Sequence, residues 1–453
     1  MYQNNSLLNQ REVLKMGLLD FKNKTKKNTK PQIKEQPLQY WEEDSFMIVI
    51  PSDTAIDPTE NIGEKLGKIK EVKVISIEEP TDENPGFISL EYDGEGFAVG
   101  YVYRDFEFPG LMGIQKQQLN EAEISALERA NKALTIFMKF HKDSKKSYHL
   151  QLKLATAIVP DLAAVMDESA EKLLSARWVN MTATSSVPPG SEAMYSVQAI
   201  SADNGEVWLH THGLCRCGIT ELEIVQSDSE NAKNHYEIIK SLAGRLLDRY
   251  ENEKDEESLF IGLIGDNIPI VVTYVPWTDG IFEYNNLTLG GLADRENGHN
   301  SKSSLIFVYK NENDEKKHIL SKVNIYDNYW GNNAMFFIST PETERMKTLA
   351  HERFGFVKRA AENDEYTIIL KLGLDTDQKY REEDTSNSKE HIWFELVGFD
   401  GDKFKAKLTQ EPYYIDALHA GYIGEYTVND ITDWLICTPS FNVSPETAYL
   451  LVQ

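Results

Sequence analysis

The densest run of side chains capable of chemistry is His210-Thr211-His212-Gly213-Leu214-Cys215-Arg216-Cys217. Along a strand, positions two apart point the same way. His210 and His212 therefore share a face, as do Cys215 and Cys217, and Gly213 permits a reversal between the two pairs. Two imidazoles and two thiolates make a tetrahedral zinc set. The spacing argues against it, because His-x-His and Cys-x-Cys are tighter than the usual zinc spacers and strain the backbone between ligands. The preferred reading is no cofactor and structural strand and loop residues. Zinc on His210, His212, Cys215 and Cys217 is the alternative. A redox pair ranks lower still, since a one-residue spacer strains a disulfide.

Glu221 and Glu223 follow a few residues later and face one side of the next strand. If the two strands pair, two histidines stand opposite two carboxylates across a ladder. Such a set suits general acid–base work or the binding of a cation. Cross-strand structural salt bridges are the plainer expectation. The signatures of common catalysts are missing: no nucleophile elbow, no phosphate loop and no His-Glu-x-x-His helix. The other histidines, His141, His149, His235, His299, His318, His351, His391 and His419, have no ligand spacing.

The elements that must hold these residues read as a mixture of strands and helices. Strands are expected at 46–50, 72–77, 87–92 and 97–103, with Asp93-Gly94 as a hairpin turn. Asn120 and Glu123 have capping-box spacing, and Ile124, Leu127, Leu134 and Met138 continue on a helical period. Residues 148–158 alternate as a strand, and a second helix is expected after Asp161 through Leu174. Strands at 194–200, 206–210 and 221–225 precede a third helix over 232–250. Further strands are expected at 259–264, 270–275, 305–309 and 319–326, with a Gly- and Asn-rich loop over 290–300. Ser339-Thr340-Pro341-Glu342 starts a helix, and strands follow at 366–372, 391–397 and 403–408 with a turn at Asp400-Gly401. Residues 375–390 read as an exposed polar loop.

The order predicts an α+β, multi-domain protein: mainly antiparallel sheets with helices packed on one face, and a small β-rich C-terminal domain. The expected divisions are a flexible basic tail (1–39), an α+β domain (40–250, with a split near 145), a β-rich segment (258–340) and a last α+β domain (341–453). The acidic stretch 248–257 is the expected linker.

The whole chain of 453 residues carries a net charge of −25. Residues 1–40 hold eight Lys or Arg against three Asp or Glu, so the rest holds 39 against 69, a net of −30. So acidic a body repels phosphate backbones, and nucleic acid is not an expected partner. No apolar run reaches the ~18 residues of a membrane span. Lys22, Lys24, Lys26, Lys27, Lys30 and Lys34 give the tail too little apolar area to order it. Beside Leu18, Leu19 and Phe21 they make at most a weak membrane tether. Met16-Gly17-Leu18-Leu19-Asp20-Phe21 resembles a bacterial protein start. Three sparse cysteines and no signal-peptide core predict a cytoplasmic protein.

The C-terminal segment carries Phe356-Val357-Lys358, Glu390-His391-Ile392-Trp393-Phe394-Glu395, Gly401 to Leu408, Glu411-Pro412, Gly421 and Ile431-Thr432-Asp433-Trp434. In order and spacing these resemble the bacterial YegJ-like domain of unknown function, over residues 354–437. Gln410 departs from the asparagine expected two residues before the proline. Residues 40–340 are similar to the uncharacterised bacterial region often fused in front of such domains, most clearly over 210–223. The resemblance implies architecture and no activity. Trp393, Asp433 and Trp434 are its candidate binding residues, and the two tryptophans read as core or rim aromatics.

The leading expectation is a non-catalytic interaction protein whose acidic surface steers a basic protein partner, in one version an immunity-type protein. The rival is a hydrolytic or metal-assisted enzyme around His210, His212, Glu221 and Glu223.

Overall fold

A computed structural model of the chain describes residues 40–110, 114–248, 258–265, 268–330, 334–336, 338–381 and 388–452. The expected basic tail, the expected linker from 249 to 257 and residues 382–387 of the expected acidic loop lie outside the described residues. The chain divides into two compact units. One takes Met1–Val179, Ser191–Leu247 and Asn252–Met335, and the other takes Asn180–Gly190, Asp248–Glu251 and Phe336–Gln453.

The first unit contains two sheets. Strands β1 (Tyr40–Pro51), β2 (Val72–Glu78), β3 (Gly86–Tyr92), β4 (Glu95–Asp105), β5 (Gln115–Lys116), β6 (Lys132–His141), β7 (Leu162–Asp167) and β8 (Lys172–Ser175) build one of them. Their spatial order is β2-β3-β4-β6-β1-β7-β8-β5, antiparallel except at the short β5–β8 pair. The β3–β4 turn has positive φ at both Asp93 and Gly94, the backbone of a tight two-residue hairpin. Alternation along β1 sends Ile48 and Ile50 to a cluster with Leu127 of the helix Glu121–Arg129. Ser45, of the opposite parity, bonds Gln151 of the helix Ser144–Ile158. This sheet thus carries a helix on each face.

Three expectations here are corrected. The capping box at Asn120 and Glu123 is present, but its helix ends at Arg129 and residues 132–141 form a strand. That strand lies between β4 and β1 with nearly every residue buried, so it lacks the period-two pattern that marks a half-exposed strand. Residues 144–158 form a helix, capped by Asp143 and buried round most of its circumference, which makes Leu150, Leu152 and Leu154 look like alternation. The helix expected after Asp161 is instead the pair β7 and β8, both wholly buried.

In the second sheet, β9 (Ser196–Ser201), β10 (Glu206–His212), β11 (Glu221–Asp228), β12 (Leu259–Ile264), β13 (Ile268–Pro276) and β14 (Ser303–Val308) follow the order β12-β13-β14-β11-β10-β9. The β11–β14 pair is parallel. The helix Ala232–Leu247 packs on β11 and β12. On the sheet, Trp208, Val225, Leu305 and Phe307 form an apolar cluster with Trp277 and Tyr284 of the segment after β13. The strand expected at 319–326 is a short 3-10 helix, Val323–Tyr326.

The second unit holds an antiparallel sheet of Ile423–Thr427, Lys403–Leu408, Lys389–Asp400, Thr367–Asp375, Ile431–Cys437 and Asn442–Val443, in that spatial order. One face buries Leu370, Leu372, Ile392, Phe394, Phe404 and Trp434 against Ala350, Phe354 and Val357 from the helices Thr340–Glu352 and Phe354–Ala360. Its other face alternates outward, as in Lys403, Lys405 and Lys407. Ser339 caps the first helix and Pro341 occupies its first turn. The class is α+β and multi-domain, with mostly antiparallel sheets.

Candidate functional site: a buried three-histidine cluster

On β10, Trp208, His210 and His212 point to one face, as the period of two requires. The Trp208 and His210 rings stack with centroids 4.0 Å apart, and His212 lies 4.9 Å from His210. A third imidazole joins them: His299 sits 5.2 Å from both rings. One nitrogen from each histidine lies within 4.8 Å of the others.

His299 arrives on the Gly- and Asn-rich loop. The short helix Leu292–Gly298 ends at Gly298, whose φ of 82° is the left-handed conformation that turns the chain back toward the sheet. Glu223 anchors this loop. Its carboxylate accepts from Trp208 Nε1 at 2.9 Å, Arg295 Nη2 at 2.6 Å and Asn300 Nδ2 at 3.3 Å. The Arg295 guanidinium also lies over the Trp277 ring at 4.2 Å.

His210 is fully buried, and among the described residues neither of its ring nitrogens has a hydrogen-bond partner. His212 Nε2 is likewise buried and unpartnered. Leaving such groups unpaired costs about 1–3 kcal/mol each. Burial, reinforced by His212, His299 and Arg295, pushes the His210 imidazole down to about 2, so it is neutral at any physiological pH. Burial also lowers His299. His212 presents its other nitrogen, Nδ1, to Glu171 Oε1 at 3.8 Å. Glu171 follows β7 with a φ of 51° and also accepts from Gln198 Nε2.

The expected partners divide. Register sets His210 directly opposite Glu223, as the pairing argument requires, but that carboxylate serves the His299 loop. Glu221 accepts from Thr211 Oγ1 and from the backbone N–H groups of Gly213 and Cys215. It braces the turn after β10. The two cysteines are not brought to the histidines: the Cys217 thiol donates to Gly213 O and the Cys215 thiol to Lys302 O. Burial pushes both thiols up to about 12, so both stay protonated. All three cysteines are free.

Arg216 lies inside the same run and is itself fully buried. It donates to both oxygens of Asp167, to Ser45 Oγ and to Met194 O, all at 2.8 Å. Asp167 in turn accepts from Ala170 N, one residue before Glu171. The Arg216–Asp167 pair therefore ties the turn after the histidine strand to the turn carrying Glu171. His299, Glu171, Arg216 and Asp167 were not singled out from sequence.

In the second unit, Trp434 is wholly buried and donates its indole N–H to Ala350 O. Trp393 and Asp433 flank Lys371 on neighbouring strands, and Lys371 Nζ lies 5.3 Å from the centre of the Trp393 ring. Burial raises the Asp433 carboxyl above the ordinary range.

Three family models match the chain. Residues 45–189 match Protein of unknown function (DUF4026) N-terminal, and residues 197–307 match Protein of unknown function (DUF4026) C-terminal. Residues 342–448 match Uncharacterized protein conserved in bacteria (DUF2314). The chain therefore carries both DUF4026 domains followed by a DUF2314 region, all of unknown function, and the name YegJ does not come with the match. Comparison with curated proteins found no match, and comparison with solved structures found none. His210 and His212 fall in the DUF4026 C-terminal match with His299, and Glu171 falls in the N-terminal one.

Proposed function

We propose that the DUF4026 part of this chain binds one divalent d-block ion, zinc foremost, on His210, His212 and His299. The supporting observation is His210, buried beside two further imidazoles with both ring nitrogens unpartnered among the described residues. Neutral imidazole is a borderline ligand that suits zinc, copper, nickel and cobalt rather than magnesium or calcium. Glu171 beside Nδ1 of His212 is the carboxylate that orients a ligating ring and leaves Nε2 for the metal. Zinc thus returns as the cofactor, with His299 in place of Cys215 and Cys217. Titration calorimetry with zinc tests this. One ion per chain, lost in His299→Ala and retained in Cys215→Ser/Cys217→Ser, is the expected result; no heat, or loss in the cysteine variant, counts against it.

A second reading concerns partners. The net charge of −30 on residues 41–453 favours a basic protein partner, attracted at low salt. Its test is a low-salt pull-down, and recovery of no basic protein rejects it. The sparse free cysteines favour a reducing cytoplasm. The order of aromatic strand, hairpin and Asp433-Trp434 favours a YegJ-like fold for the DUF2314 region.

A further inference from the structure

We infer that an ion held by His210, His212 and His299 keeps one coordination position for an exchangeable ligand: water at rest, and small anions or a carbonyl oxygen in its place. This rests on the metal reading above. Among the described residues, the cluster has three members, one fewer than a closed tetrahedral site needs.

The side chains that a fourth bond would require are committed elsewhere. Glu223 holds Trp208, Arg295 and Asn300. Glu221 holds Thr211 and two backbone amides. The thiols of Cys215 and Cys217 face carbonyl oxygens of Lys302 and Gly213. Glu171 lies beside Nδ1 of His212, on the far side of that ring from Nε2, which makes it a positioning residue rather than a ligand.

Access is one-sided. Trp208 stacks on His210 and closes the inner side of the cluster. His299 is half-buried, so the cluster meets solvent at that ring. Three protein ligands with an outward fourth position is the arrangement of catalytic rather than structural zinc. A hydrolytic role requires such a position, because metal-bound water is its nucleophile.

The test uses the full chain loaded with Co(II), whose visible d–d bands report the ligand set, followed by titration with azide. A saturable shift of those bands is the expected result. Bands that azide leaves unmoved mean a closed site and overturn this inference alone. Failure of Co(II) to give any bands overturns the metal reading and this inference with it. Glu171→Gln is expected to weaken Co(II) about 10- to 100-fold while preserving the azide shift. An azide shift that is absent in the parent chain and appears only in Glu171→Gln assigns the fourth position to Glu171 and contradicts the account.

Discussion

Arg216 and Asp167 form a two-pronged ion pair, both prongs at 2.8 Å, between side chains that are 1% and 0% exposed. The guanidinium is further enclosed by the rings of Phe140 and Tyr148. Tyr148 also donates its hydroxyl to Asp167 at 2.9 Å. The pair fixes the turn after β10 to the turn that carries Glu171.

Removing one member leaves a buried charge alone, which costs about 3–5 kcal/mol. Arg216→Met is expected to lose that much in urea unfolding, and Arg216→Met/Asp167→Leu to recover most of it. A single-variant loss below about 1 kcal/mol contradicts the assignment.

His235 predicts a pH dependence. Fully buried, its ring bonds Ser227 Oγ at 2.7 Å and Asp327 Oδ1 at 3.0 Å. Burial holds its pKa below the ordinary 6.5, against the pull of Asp327. The unfolded chain therefore takes up the proton first as pH falls. Metal-free protein is expected to hold its stability above 6.5 and to lose it progressively below that value. His210 and His299, also lowered, act in the same direction. Urea midpoints measured from neutral pH downward should show this slope, and His235→Gln should flatten part of it.

The capping box offers a graded test. Asn120→Ala removes the side-chain acceptor for the Glu123 amide and is expected to cost about 1 kcal/mol. Glu123 also accepts from Ser175 Oγ and pairs with Arg177. Glu123→Ala should therefore cost more, about 1.5–3 kcal/mol. Equal losses in thermal melts would reduce Glu123 to its cap alone.

The two candidate tryptophans of the second unit should behave differently. Trp434→Ala empties a core position and is expected to cost about 3–5 kcal/mol. Trp393→Ala loses partial burial and a cation–ring contact, an effect near ~1 kcal/mol. A Trp393 loss equal to that of Trp434 would place it in the core.

Much of the strand order was legible because its punctuation is local: Asp93-Gly94 and Asp400-Gly401 announce hairpins, and Ser339 with Pro341 announces a helix. What failed was the interior. Residues 132–141, 144–158 and 162–175 are buried almost all round, and such segments carry neither period clearly. At the site, the shared face of His210 and His212 followed from strand geometry. His299 did not, because it comes from a loop 87 residues after His212 and only folding brings it near. Arg216 and Asp167 form their bond across 49 residues, with no short-range pattern to announce it.

The central claim is the identity of the ligand set, and X-ray absorption at the zinc edge of the loaded full chain reads it directly. The account predicts a first shell of nitrogen and oxygen only, at ~2.0–2.1 Å, with outer scattering from three imidazoles. A sulfur shell at ~2.3 Å would return Cys215 and Cys217 to the site and contradict the three-histidine assignment.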